Sequence, residues 1–160
     1  MKYFKIKYND IVDGEGICVS LWTAGCPHHC KGCFNEETWD YNNGVEVPQD
    51  LKFRIIKAIQ ANGIQRNFSV LGGEPFTLSN REFVLDVVRS VRIAYPNIMI
   101  YIWSGYTYEE LKSFNSKEVN EILENCDVLI DGRYEEDKRD LTLKLRGSSN
   151  QNIIYLKGQE

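Results

Sequence analysis

Several things are scarce or absent in this 160-residue chain. Positive charge is not in excess: 19 Lys and Arg against 23 Asp and Glu leave a net charge of −4. A protein that binds nucleic acid by neutralising phosphates needs a basic surface, so no nucleic-acid partner is expected. A nucleotide-like small molecule held by backbone groups is not excluded. Long apolar runs are missing too. The longest, Ile98 to Trp103, is six residues, against the ~20 that a membrane helix needs. The opening MKYFKIKYND has no apolar core of signal-peptide length. No membrane association and a cytoplasmic location are therefore expected, and in a reducing compartment five cysteines are not a disulfide framework. Repeats, low-complexity tracts and long linkers are absent, so residues 1–160 read as a single domain. Core-forming residues are plentiful. With 42% hydrophobic and 26% charged residues, the composition is that of a folded chain.

Two patterns alternate along the sequence. Ile17 to Thr23 reads as a buried strand. Asp50 to Asn62 reads as an amphipathic helix with Leu51, Ile55, Ala58, Ile59 and Asn62 on one face and Gly63 as its stop. Phe68 to Leu71 is a short apolar strand. Ser79 or Asn80 is expected to cap the next helix, with Glu82 in a capping-box position after Ser79. That helix buries Phe83, Val84, Val87, Val88 and Val91 and closes at Pro96. A strand from Ile98 to Trp103 follows, then a short helix opened by a second capping box, Thr107 with Glu110. A further helix runs from Ser116 to Asn125, with strands at Val128 to Ile130 and Ile153 to Leu156. Tyr3 to Tyr8 is an additional strand that could sit at an edge. Strands alternating with helices imply parallel βαβ units. A full (β/α)8 barrel usually needs ~250 residues. The expected fold is therefore α/β, an incomplete barrel or open, mostly parallel sheet of five or six strands. Its chemistry should gather in loops at the C-terminal ends of the strands.

The rare residues are clustered. Cys26, Cys30 and Cys33 fall within eight positions, and both histidines of the chain, His28 and His29, lie between the first two cysteines. The segment follows a strand directly. Gly25 and Gly32 allow the backbone to wrap around an inorganic body. Three thiolates at C-x3-C-x2-C suit an iron–sulfur cluster or zinc. For zinc, His28 or His29 could be the fourth ligand. For a cubane cluster, one iron is left without a local ligand, and that position is either filled by a distant cysteine or is the working one. Cys18 and Cys126 stand apart in apolar surroundings and read as packing residues. A second motif, Gly72-Gly-Glu-Pro75, also follows a strand. Paired glycines allow close approach of a ligand to the backbone, and Glu74 can accept hydrogen bonds from an ammonium group.

Together these two motifs resemble the radical S-adenosylmethionine (SAM) superfamily. Further segments narrow the likeness: Asp10-Ile-Val-Asp-Gly14, Phe34-Asn35, Thr38-Trp39, Trp103-Ser-Gly-Tyr106, Asp131-Gly132 and Arg146-Gly-Ser-Ser-Asn-Gln151. Over essentially its whole length the chain is similar to the activating proteins of anaerobic ribonucleoside-triphosphate reductases, which are glycyl-radical enzyme activases. Two departures are visible: Gly-Gly-Glu-Pro stands where Gly-Gly-Asp-Pro is common, and Glu15 stands where proline is usual.

The resemblance implies an incomplete (β/α) barrel of the radical SAM type. It implies a [4Fe-4S] cluster on Cys26, Cys30 and Cys33, with SAM chelating the fourth iron. Gly32, Cys33 and Phe34 would lie against SAM, and Gly72, Gly73 and Glu74 would orient its methionine amino group. It further implies one-electron cleavage of SAM to a 5′-deoxyadenosyl radical, which abstracts hydrogen from a glycine of the reductase large subunit. A one-electron reductant such as a flavodoxin-like protein would supply the electron. Trp103 and Tyr106 could rest against ribose or adenine, or be core and rim aromatics. Asp131 could meet ribose or cap a turn, and Arg146 could meet an anionic group, a partner or a plain carboxylate. His28 and His29 read as neighbours of the cluster or as solvent-facing residues rather than as ligands. The alternatives are an activase of another glycyl-radical enzyme, a small-molecule radical SAM enzyme, and a non-catalytic zinc or Fe–S module.

Overall fold

The computed structural model describes residues 2–157. It contains β1 (Lys2–Asp10), β2 (Cys18–Thr23), β3 (Val45–Glu46), α1 (Leu51–Ile59), β4 (Asn67–Gly72), α2 (Leu78–Ala94) and β5 (Ile100–Trp103). The remaining elements are α3 (Tyr108–Ser113), α4 (Lys117–Asn125), β6 (Val128–Asp131) and β7 (Asn152–Tyr155). The strands form one open sheet in the order β3-β1-β2-β4-β5-β6-β7. The four central strands, β2, β4, β5 and β6, are parallel to one another, while β1, β3 and β7 pair antiparallel. The expected five or six strands are thus seven. The two-residue β3 is too short to leave a periodic signal, and it places β1 second from the edge.

The central strands are added in one direction only. Right-handed crossovers then put every connecting helix on the same face of the sheet. Side-chain alternation bears this out. Val19 and Leu21 of β2, Phe68 and Val70 of β4, Ile100 and Ile102 of β5, and Leu129 of β6 pack with the apolar residues of α1, α2 and α4 in the main core. Their neighbours point the other way. Ser20, Ser69, Tyr101, Val128 and Ile130 are buried on the helix-free face, where Tyr101, Val128 and Ile130 form a smaller cluster with Trp103 and Leu145.

Two irregular segments cover this second face. Residues 11–17 lie across it, held where Ser69 Oγ donates to the Asp13 carbonyl (2.6 Å) and Asn67 Nδ2 to the Glu15 carbonyl (3.0 Å). The second segment, 139–151, is a strap. Trp103 Nε1 donates to the Leu145 carbonyl (2.9 Å). Gln151 Oε1 accepts from the backbone N–H of Gly147 and Ser148, and Gln151 Nε2 donates to the Gly132 carbonyl.

Several local expectations are refined. Helix α1 stops at Ile59, ahead of the expected Asn62, which is exposed and left-handed (φ 58°). Helix α2 is flanked by Thr77, without a side-chain cap bond, so neither Ser79 nor Asn80 is its cap. The five apolar residues expected on its face are all buried. The Thr107–Glu110 capping box on α3 is present in full, and Ser116 caps α4.

Candidate metal centre

The C-terminal ends of β2, β4, β5 and β6 open into a cavity of about 430 Å3. Cys26, Cys30 and Cys33 all line it, each partly exposed. Gly72, Gly73 and Glu74 line it from β4, and Trp103, Ser104 and Gly105 from β5. Gly132 and Tyr134 follow β6, and Asp13, His28, Phe34, Trp39, Leu145 and Arg146 are also on the wall. The two motifs, with 38 residues between Cys33 and Gly72, therefore share one chamber.

The loop carrying the cysteines is pinned by backbone hydrogen bonds. Gly25 N–H donates to the Thr38 carbonyl and Cys26 N–H to the Trp39 carbonyl. Gly73 N–H donates to the Thr23 carbonyl and Glu74 N–H to the Gly25 carbonyl (2.8 Å). The second pair ties the cysteine loop to the Gly-Gly-Glu turn. A Cβ on Gly73 would sit 2.4 Å from the Gly25 carbonyl oxygen, and Gly72 has φ +103° with the Thr23 backbone about 3 Å from its Cβ position. In the structure, then, the close approach that two glycines permit is made by the cysteine loop itself.

Burial pushes the Cys26 thiol up to about 11, against a lowering contribution from the His28 backbone N–H. Burial likewise raises Cys30, opposed by the Tyr134 N–H. The Asn35 N–H points at Cys33 Sγ (3.3 Å). Backbone donors therefore face all three sulfurs, as a thiolate-bound cluster requires of its surroundings. Among the described residues, no three His, Cys, Asp or Glu side chains are gathered tightly enough to hold a single ion. The three thiols line one cavity of about 430 Å3, which has room beside them for a body larger than a single ion.

Cys18 and Cys126 are fully buried, and neither lines the cavity. His28 is committed elsewhere: its Nε2–H donates to Glu74 Oε1 (2.8 Å), with its ring edge-on to Tyr106. His29 is stacked on Trp39. Glu74 is 1% exposed and is a hub. Oε1 also accepts from Gly105 N–H (2.7 Å), while Oε2 accepts from Ser104 Oγ (2.8 Å) and Phe76 N–H (3.0 Å). Four donors fill the acceptor capacity of one carboxylate.

The remaining candidates fall as follows. Gly32 is next to the Glu136 carboxylate, and Phe34 is half-exposed against Tyr134. Trp103 lines the cavity and braces the strap. Asp131 is buried, and its Oδ2 accepts from Tyr108 N–H (2.7 Å) at the start of α3, so it serves the preceding helix rather than a following turn. Arg146 donates to the carbonyls of Lys144 and Gln151 within the strap.

Two features escaped sequence reasoning. One is Asn80, whose amide bridges the Ala24 and Glu74 carbonyls. The other is a carboxylate pair. Asp10 Oδ1 accepts from the N–H of Val12 and Asp13, and its Oδ2 from Ser20 Oγ. Burial raises Asp10, but hydrogen bonds from Asp13, Ser20 and these two amides outweigh it and hold it down at about 2. Burial, then the bond and charge of Asp10, raise Asp13 to about 7. Two aspartates three apart in sequence were the only available signal.

Fold and site define an α/β protein built to carry one iron–sulfur cluster, and residues 12–154 match the family described as "4Fe-4S single cluster domain". The chain is 36% identical over 156 residues to the anaerobic ribonucleoside-triphosphate reductase-activating protein of Pasteurella multocida, covering 97% of each chain. It is 34% identical to that of Escherichia coli K12, covering 98% of this chain and all of the other. It is 35% identical to that of Enterobacteria phage T4, covering 96% and 93%. It belongs to the family of anaerobic ribonucleoside-triphosphate reductase-activating proteins. Among the described residues, no helix is long and apolar enough to cross a membrane.

Proposed function

We propose that the chain is a cytoplasmic radical SAM activase that generates a glycyl radical on the catalytic subunit of an anaerobic ribonucleoside-triphosphate reductase. On this reading the open, one-sided sheet is an incomplete (β/α) barrel of the radical SAM type. A [4Fe-4S] cluster would be held by Cys26, Cys30 and Cys33. When bound, it would supply one electron, taken from a flavodoxin-like reductant, to the sulfonium of SAM. Carbon–sulfur cleavage would release methionine and a 5′-deoxyadenosyl radical, which would take a hydrogen atom from a partner glycine and leave as 5′-deoxyadenosine.

The observation that carries the proposal is the meeting of three cysteines and the Gly72–Glu74 turn in one cavity, with no other cysteine on its wall among the described residues. A [4Fe-4S] cluster held by these three cysteines alone would keep one iron free for SAM to chelate. Gly32 and Phe34 would flank the bound nucleotide. Gly72, Gly73 and Glu74 would orient its amino group. The Glu74 carboxylate is the anion for that ammonium, and the His28 N–H now on Oε1 is the side-chain donor it would displace. Leu71, Trp103, Leu143 and Leu145 give part of the wall an apolar lining. Val12, Phe34 and Leu141 are both exposed and on the cavity wall, an apolar rim on which a macromolecular substrate can close.

Anaerobic reconstitution should yield about four irons per chain, and a strong reductant should then cleave SAM. Mixing with the reductase should produce the electron paramagnetic resonance signal of a glycyl radical on the partner. SAM recovered intact from a fully loaded, reduced protein would sink the proposal.

A further inference from the structure

Asn80 lies in the first turn of α2 and is 3% exposed. Its side chain does not serve the helix. Nδ2 donates to the Ala24 carbonyl (2.9 Å) and to the Glu74 carbonyl (3.1 Å). Two carbonyl oxygens around one amide group identify the nitrogen without ambiguity, since the oxygen would be repelled by both. The acceptors belong to different loops. Ala24 stands two residues before Cys26, and Glu74 closes the Gly-Gly-Glu turn. The backbone bonds Gly73 N–H to Thr23 and Glu74 N–H to Gly25 run between the same two segments. Those bonds fix the register of the loops. Asn80 adds a third point anchored on neither loop but on a seventeen-residue helix packed in the main core.

We propose that Asn80 is a positioning residue that holds the cysteine loop and the Gly72–Glu74 turn at a fixed separation, and through it the cluster and the SAM amino group. The inference rests on the function proposed above. It assigns to α2 a task distinct from sheet packing: its first turn references both halves of the site to one rigid body. Loss of the amide would leave the Ala24 carbonyl without its donor and the Glu74 carbonyl with only a long bond from Thr77 N–H (3.5 Å), and the two loops, still joined by their backbone bonds, would lose their common anchor on α2.

The experiment uses Asn80→Ser, which leaves room for a water donor, and Asn80→Asp, which keeps the shape but sets a carboxylate against two carbonyl oxygens. Ile122→Val, in α4 and remote from the cavity, controls for general destabilisation. Each protein is reconstituted anaerobically. Iron content, circular dichroism, SAM affinity and the paramagnetic resonance spectrum of the reduced cluster with and without SAM are measured. Expected for the Asn80 variants are wild-type iron content, SAM binding weakened about tenfold or more, and a diminished spectral response to SAM. Ile122→Val should match the wild type in all of these.

SAM affinity within about twofold of wild type in a folded, loaded Asn80 variant would overturn the proposal. So would an equal weakening in Ile122→Val. Loss of iron from folded Asn80 variants would reduce Asn80 to support of the cysteine loop alone, and failure of both to fold would make it a general structural residue; either result also overturns it. A wild-type cluster whose spectrum ignores SAM would instead sink the underlying reading, and this inference with it.

Discussion

At the scale of single residues, the site contains two carboxylates with opposite fates. Glu74 is buried yet fully supplied with donors. Asp13 is raised to about 7 because burial and the neighbouring Asp10 both disfavour its charge, with Lys5 and Lys7 opposing them. The pair shares a hydrogen bond, so the values near 2 and 7 belong to the pair. The sign of the linkage follows. Folded Asp13 holds its proton more tightly than an unfolded aspartate at 3.8. Its contribution to stability is therefore complete below about pH 3.8 and lost as the pH rises through about 7. Asp10 does the reverse: its contribution is present above about 3.8 and lost as the pH falls toward 2. Wild-type thermal stability should decline between about pH 5 and pH 8, and Asp13→Asn, which keeps a donor toward Asp10 without a titrating proton, should flatten that decline. Melting curves of both proteins across this range test it; parallel curves would remove Asp13 as the cause.

At the scale of elements, α3 shows how a local signal becomes structure. Thr107 Oγ1 accepts from Glu110 N–H (3.1 Å), and Glu110 Oε1 accepts from Thr107 N–H (2.9 Å). Asp131, at the end of β6, satisfies Tyr108 N–H. Six residues cannot form a helix alone, so these end contacts and the burial of Leu111 sustain it. Thr107→Ala should cost about 1 kcal/mol, lowering the melting temperature by about 2–4 °C; no shift would mean that Asp131 suffices. This capping box was legible because its partners are three residues apart. So were the core faces of α1 and α2, set by the helical repeat, and the cysteine loop, set by spacing. The rest depends on partners far along the chain. Nothing near Asn80 in sequence says that its amide reaches Ala24, 56 positions away. The Gln151 latch on Gly132 and the brace from Trp103 to Leu145 are equally non-local. The two-residue β3 exists only because β1 offers it an edge.

At the scale of the whole molecule, the one-directional order of the parallel strands decides where the chemistry sits. With α1 to α4 on one face, residues 11–17 and 139–151 cover the other among the described residues, and the cavity opens at the C-terminal strand ends. The five cysteines divide along this architecture. Cys26, Cys30 and Cys33 are on an irregular loop facing the cavity. Cys18 is buried in β2 under the 11–17 segment, and Cys126 is buried at the head of β6 with its thiol against the carbonyls of Ile100 and Val128. Both thiols are raised by burial, Cys18 to about 11 and Cys126 to about 12, but so is Cys26; what sets the two core cysteines apart is that neither reaches the cavity wall. Cys18→Ala and Cys126→Ala should therefore retain the full iron content and the brown colour, while losing about 1 kcal/mol of stability from the small void each leaves. Cys26→Ala, Cys30→Ala or Cys33→Ala should fold with near wild-type circular dichroism yet fail to keep a cluster. Iron analysis and visible absorption after anaerobic reconstitution separate the two groups. If removing either core cysteine emptied the site, the sheet would have to open far enough to bring that thiol to the cavity, and the position reserved for SAM would belong to the protein instead.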